Sequence, residues 1–175
     1  TQVAALETAS IRAISTAEFA ALTSDQVTAF TSTQMGGFST DQMAALTSTQ
    51  LVAIETGDLR GFTGAQFSAL NTEAIAGLTT AQTAALSSTH LAALTTTQVQ
   101  AFETADLQAL TTAQIRSLTT GSLAALTTDQ MVALETADLA AMTMTQVAAF
   151  DGDQLASLDA EQIDALLSAS PIVLD

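Results

Sequence analysis

The 175 residues carry 18 acidic side chains against Arg12, Arg60 and Arg116, a formal charge of −15, with 48% hydrophobic content and no Cys, Trp or Tyr. A surface this acidic repels an intact phosphate backbone, which argues against nucleic-acid binding, and zero cysteines exclude a disulfide framework and a thiolate metal site. No apolar run approaches the roughly 20 residues that span a bilayer, so no membrane insertion is expected.

The chain opens in mid-repeat. Thr1 to Leu6 match the last six positions of an eight-residue unit, and no signal peptide with a basic flank stands at Thr1. The segment therefore reads as an excised part of something longer. From Glu7 to Leu166 the unit runs without insertion through 20 complete octads. Each octad reads small polar, small polar, variable, Gln or another polar residue, large apolar, usually Ala, small, large apolar. Thr95-Thr96-Thr97-Gln98-Val99-Gln100-Ala101-Phe102 is representative. Such self-similarity marks a repeat array and not an ordinary globule.

Large apolar residues at the fifth and eighth places suit neither one long helix nor a strand. At about 100° per residue, eight residues turn the apolar stripe by about 80°, and within five octads it would circle a continuous helix. In a strand the two places face opposite sides. A series of very short helices remains, each with its own start signal. With the first place as N-cap, the fourth falls at N3, and Ser/Thr-x-x-Gln/Glu is the capping box. The preceding apolar residue and the fifth place then form a hydrophobic staple, as in Leu94 with Val99 and Leu110 with Ile115.

The octads alternate between two kinds. One kind has Glu18, Gln34, Gln50, Gln66, Gln82, Gln98, Gln114, Gln130, Gln146 and Gln162 in the fourth place. The other has Ser10, Gln26, Gln42, Asp58, Ala74, His90, Asp106, Ser122, Asp138 and Gln154. The alternation predicts an all-α fold, an α-solenoid of 8-residue helical units paired into 16-residue coils stacked ten times over residues 1–166. Burying two large side chains yields roughly 3–6 kcal/mol per octad, whereas ordering the backbone costs about 1–2 kcal/mol per residue, so neighbouring coils must supply the difference. Ala at the sixth and seventh places is expected to let helices approach closely. Ten coils at about 8–10 Å each predict a rod of on the order of 80–100 Å.

Departures from the pattern are few. Gly36-Gly37, Gly61 and Gly77 take Ala places, where they either permit closer backbone contact or weaken their helices by about 0.5–1 kcal/mol each. Drift in a redundant array is the simpler reading. Thr83 replaces a large residue, which predicts a groove or small void beside Ala84. His90, the one histidine, has no partner at metal-ligand spacing and is expected to cap its helix at the surface. Phe19, Phe30, Phe38, Phe62, Phe67, Phe102 and Phe150 all occupy fifth or eighth places and read as core. Asp151, Asp153, Asp159, Glu161 and Asp164 raise a calcium reading, but solvated helix-start acids explain them more simply. After Leu166 the octads end, Pro171 stops the last helix, and Ile172-Val173-Leu174 reads as a strand fragment. Residues 167–175 are thus expected to be a tail leading into a following domain.

Runs such as Leu78 to Leu86 and Leu110 to Leu118, of the form Leu-Thr-Thr-Ala-Gln, resemble the Ala/Thr/Gln-rich repeats of very large secreted proteobacterial proteins, in which such arrays precede calcium-binding RTX-type regions. Pro171-Ile172-Val173-Leu174-Asp175 is similar to the segment that introduces an Asp-rich calcium loop in those proteins. The resemblance implies type I secretion and an extracellular or cell-surface location. It places calcium only in a following domain, since the loop would begin at Asp175. A superficial likeness to TALE repeats is set aside because that family's repeat is about twice as long again and its DNA contacts rely on basic residues lacking here.

The expected role is a non-enzymatic stalk, spacer or protein-interaction surface. No nucleophile, base and orienting acid recur at compatible spacing, so no catalytic, cofactor-binding or metal residue is assigned. Apolar end faces predict self-association through the solenoid ends. The alternative is a ligand array in which rows of second-place Thr hydroxyls dock a polysaccharide or ice.

Overall fold

A computed structural model describes residues 6–169. Nineteen of the octads form one short α-helix each: α1 (Thr8–Arg12), α2 (Thr16–Ala20), α3 (Ser24–Val27), α4 (Ser32–Met35), α5 (Thr40–Ala44), α6 (Ser48–Ala53), α7 (Gly64–Ala69), α8 (Thr72–Ala76), α9 (Thr80–Ala84), α10 (Ser88–Ala93), α11 (Thr96–Gln100), α12 (Thr104–Ala109), α13 (Thr112–Ile115), α14 (Thr120–Ala124), α15 (Thr128–Val132), α16 (Thr136–Ala140), α17 (Met144–Val147), α18 (Gly152–Ser157) and α19 (Ala160–Ala169). The octad at Glu55 instead forms a 3₁₀ turn, Asp58–Gly61. Among the described residues there is no strand. The expected stop at Pro171 and the strand fragment at Ile172-Val173-Leu174 lie outside the described residues.

The helices begin where the capping box puts them. Thr95 is extended (φ −74°, ψ 161°), its hydroxyl accepts the Gln98 amide at 3.2 Å, and Gln98 Oε1 accepts the Thr95 amide at 2.9 Å. Two orphan donors are thereby satisfied at each such start. The ends are less usual. Helices commonly finish on a left-handed glycine, yet among the described residues none has a positive φ. The chain leaves α7, for example, straight into extended backbone at Leu70. The carbonyls exposed by that exit need partners from elsewhere.

Every pair of elements in substantial contact is three octads apart. One column contains α2, α5, α7, α10, α13, α16 and α19, and another contains α3, α6, α8, α11, α14 and α17. The third carries α4 on the 3₁₀ turn and, further along, α9, α12, α15 and α18. The solenoid of short helices therefore stands, but the expected 16-residue coil does not: one turn takes 24 residues and three helices. The reason is geometric. A helix of five residues is about 7.5 Å long, and two of them cannot enclose the large side chains that both point inward, whereas three close a triangle around them. Twenty octads then make six to seven turns, about 55–65 Å at 8–10 Å per turn, in place of the longer rod. The 16-residue alternation and the 24-residue turn come back into phase every 48 residues, which puts Glu7, Glu55, Glu103 and Asp151 along one edge.

Burial follows the octad. In Thr95–Phe102 the fourth, fifth and eighth places (Gln98, Val99, Phe102) are buried, Ala101 is half-buried, and the first, second, third and sixth are exposed. All seven Phe are in the core. Five of them and His90 run as a chain of ring contacts through the first half, from Phe19–Phe38 at 4.8 Å to Phe67–His90 at 4.4 Å. The sixth-place alanines mostly face solvent, so close approach rests mainly on the seventh place and, at Gly36, on the sixth. At Gly36 and Gly61 backbone meets backbone. A Cβ on Gly61 would stand 2.2 Å from the Ser32 carbonyl oxygen, and one on Gly36 would stand 2.9 Å from the Gly61 carbonyl oxygen. These two glycines are a packing requirement where backbone meets backbone, not drift. Thr83 is fully buried, and a surface depression does run beside Ala84, Ala85 and Leu86.

Candidate functional site

The most regular chemistry in the molecule is a ladder of fourth-place side chains along its corners. Gln98 is 2% exposed; besides its cap bond, its Nε2 donates to Phe67 O at 2.9 Å and Leu70 O at 2.7 Å, residues 31 and 28 positions earlier. The same reach-back recurs from Gln42 to Ile11 and Ile14, from Gln66 to Met35 and Phe38, and from Gln130 to Val99 and Phe102. One amide thus caps the start of its own helix and the open end of a helix one turn below. That is where carbonyls left without a glycine cap find their donors.

Substitutions in the ladder confirm the assignment of roles. Glu18 is exposed in the first turn, where no carbonyls of a described lower turn require a donor, and Ser15 hydroxyl and amide bonds hold its carboxyl below the usual range. Ala74 cannot bond, and Asn71 takes over: its Oδ1 accepts the Ala74 amide and its Nδ2 donates to Ala44 O and Leu46 O. His90 accepts the Ser87 amide at Nδ1 (3.3 Å) and bonds Phe62 O through Nε2 at 2.8 Å, 28 residues back. It caps its helix as expected but is 2% exposed, so the surface location is corrected. Its imidazole imitates an amide, with one acceptor and one donor on opposite sides.

Asp106 and Asp138, each 3% exposed, can accept but not donate. Burial pushes both carboxyls up; at Asp106 the Glu103 amide counters this in part, and at Asp138 the Thr112 hydroxyl does so at 2.9 Å. The buried Thr83 hydroxyl also lowers the Asp106 pKa, although it forms no well-aligned hydrogen bond. By the register of the ladder, Ile75 O and Leu78 O are the carbonyls opposite Asp106. Asp106→Gln is therefore expected to stabilise the fold at pH 7 by about 1–3 kcal/mol, by removing a buried charge and supplying the donor. Because the folded carboxyl titrates above its ordinary 3.8, its contribution is fully present below that value and is lost as pH rises through the folded value. The gain should shrink as denaturation is repeated toward pH 4.

The remaining surface is small and polar. First-place hydroxyls, such as those of Thr79 and Thr127, are occupied as N-caps. Second-place residues are not caps; Thr80, Thr104 and Thr128 begin successive helices of one column, Thr72, Thr96 and Thr120 those of another, and all six are exposed. Among the described residues no three His, Asp or Glu side chains gather as a metal site, the acids from Asp151 to Asp164 included. No described helix is long and apolar enough to cross a membrane.

The cross-turn role of the fourth place was missed in the sequence, although a signal existed. Glu completes a capping box as well as Gln does, yet nine of the ten octads of the uniform kind use Gln, and the exception, Glu18, lies in the first turn. Only a side chain that must also donate explains that preference.

Comparison with known proteins agrees with the repeat. No curated protein and no solved structure matches the chain. A model of the ALTTAQ repeat matches residues 3–40, 51–88, 99–136 and 131–168, each match starting at a fifth place of the octad and the first three starting 48 residues apart. With most of its length matched in tandem, this helical solenoid belongs to the ALTTAQ repeat family.

Proposed function

We propose that the chain is a non-enzymatic structural segment, a stalk or spacer that also offers a protein-binding surface, within a larger secreted or cell-surface bacterial protein. The observation that carries this is the use of the polar side chains. Those best suited to recognition, the Gln ladder with His90, Asp106 and Asp138, are buried and engaged with backbone or neighbouring hydroxyls, while the outside presents Thr, Ser, Ala and acids. Length then follows from the number of turns, and solubility from the charge of −15. The likeness of the Pro171–Asp175 segment to the approach to calcium loops supports secretion.

Self-association through the ends belongs to the same proposal, since each turn is built to receive another of the same pattern. Light scattering and small-angle X-ray scattering over a concentration series test it. Mass and maximum dimension are expected to rise together at constant cross-section. A species that stays monomeric at high concentration, or one that thickens, refutes end-on stacking. A second reading is favoured by the columns of second-place hydroxyls, whose freedom from capping leaves them available to a polysaccharide or to ice. Co-sedimentation with an insoluble polysaccharide, or retention in a growing ice phase, would select it over the passive spacer.

A further inference from the structure

We propose that His90 is a pH-sensitive joint in the middle of the array, closing the turn between α7 and α10 only while its ring is neutral with the proton on Nε2. The geometry leaves one working state. Nδ1 faces the Ser87 amide, a donor, and must therefore be the acceptor; Nε2 faces the Phe62 carbonyl and must carry the hydrogen. The ring lies stacked on Phe67, with centroids 4.4 Å apart and planes 12° apart. Adding a proton puts an N–H at Nδ1 against the Ser87 N–H, which breaks one half of the capping box of α10, leaving only the Ser87 hydroxyl on the His90 amide, and leaves a cation where water scarcely reaches it.

The neighbourhood does little to shelter that cation. Of the helices packed on α10, neither α7 (Gly64–Ala69) nor α13 (Thr112–Ile115) carries a titratable residue. The 3₁₀ turn before Phe62 brings Asp58 and Arg60, and Arg60 shares a surface depression with Ser87 and Ser88, so a positive charge already lies on that side. Arg116 is the C-cap residue of α13. Stacking on Phe67 offsets part of the penalty through attraction of a cation to the ring face. Burial holds the His90 pKa below its ordinary 6.5, while the bond to Phe62 acts the other way.

The joint differs from every other rung. A Gln amide keeps its acceptor and donor at any pH in this range, and Asp106 and Asp138 gain a donor on protonation, so they tighten in acid. His90 alone loosens. Since the neutral form is the folded one, its contribution is fully present above about 6.5 and is lost as pH falls from there through the folded value. Each unit between the folded and unfolded pKa changes the opening equilibrium by up to about tenfold.

The test compares the unaltered chain with His90→Gln, which installs the residue that most neighbouring octads use. His90 is the single histidine, so its ring resonances titrate without ambiguity. Expected are a ring midpoint below 6.5, amide-exchange protection at α7 and α10 that falls between pH 7 and pH 5 relative to H90Q by up to about tenfold for each unit that midpoint lies below 6.5, and no such fall in the variant. Asp106 and Asp138 are common to both chains and cancel. A ring titrating at or above 6.5, or parallel loss of protection in the two chains, would overturn the proposal. An H90Q chain that fails to fold would also count against it, because it would show that the ring does more than imitate an amide.

Discussion

Gln98→Glu is expected to lower stability at pH 7 by on the order of 3–5 kcal/mol. The substitution keeps the cap, because a carboxylate oxygen can still accept the Thr95 amide. What it loses are both donations, to Phe67 O and Leu70 O, and it leaves a buried charge facing two carbonyl oxygens. In a solenoid each turn is supported only by its neighbours, so a broken rung in the middle weakens turns on both sides. The pH dependence supplies a signature. The buried carboxyl's folded pKa must rise above the unfolded value of about 4.3, so the variant approaches its parent below that pH and falls away as pH increases through the folded value. Gln26→Glu is the control. Gln26 is exposed and, among the described residues, its side chain makes only the cap bond, so a change within about 0.5 kcal/mol is expected there. Chemical denaturation of both variants at pH 4 and pH 7 decides the matter; equal losses would mean that the reach-back bonds contribute nothing to stability.

That contrast also locates what could be read from the residues alone. Octad phase, N-caps and the core at the fifth and eighth places are local consequences of chemistry within eight residues, and Thr95 to Phe102 states them completely. The number of helices per turn is not local. It depends on how three short helices close around their own side chains, and the two-octad alternation of Gln with more varied residues suggested two. The alternation is instead superposed on a turn of three; Glu7, Glu55, Glu103 and Asp151 recur every 48 residues in that register, although first-place acids at Glu135 and Asp159 fall outside the series. The ladder was half legible. Its capping half follows from spacing, whereas its donating half spans 28 to 31 residues and could have been inferred only from the avoidance of Glu. His90 shows the consequence: with the cap recognised and the second bond unseen, its ring was assigned to the surface.

Gly61→Ala is expected to destabilise by about 1–3 kcal/mol, in the direction opposite to intrinsic helix propensity. In an unconstrained helical segment the exchange would stabilise by nearly 1 kcal/mol. Here the new methyl would meet Ser32 O at 2.2 Å, Ser32 C at 2.7 Å and Ser32 Cα at 2.8 Å. These are backbone atoms of the turn below, and they cannot step aside as a flexible side-chain tip can. Relief requires α4 and the 3₁₀ turn to separate, which strains the neighbouring rungs from Gln66 to Met35 and Phe38. The same exchange at Gly57, where a Cβ would meet nothing within 4 Å, leaves packing untouched and should be neutral or slightly stabilising. The pair of variants therefore separates contact from propensity: thermal midpoints that rise together would show that the turns at Gly36 and Gly61 pack more loosely than their backbone approach implies, while opposite shifts tie the glycines to the closeness of the coil.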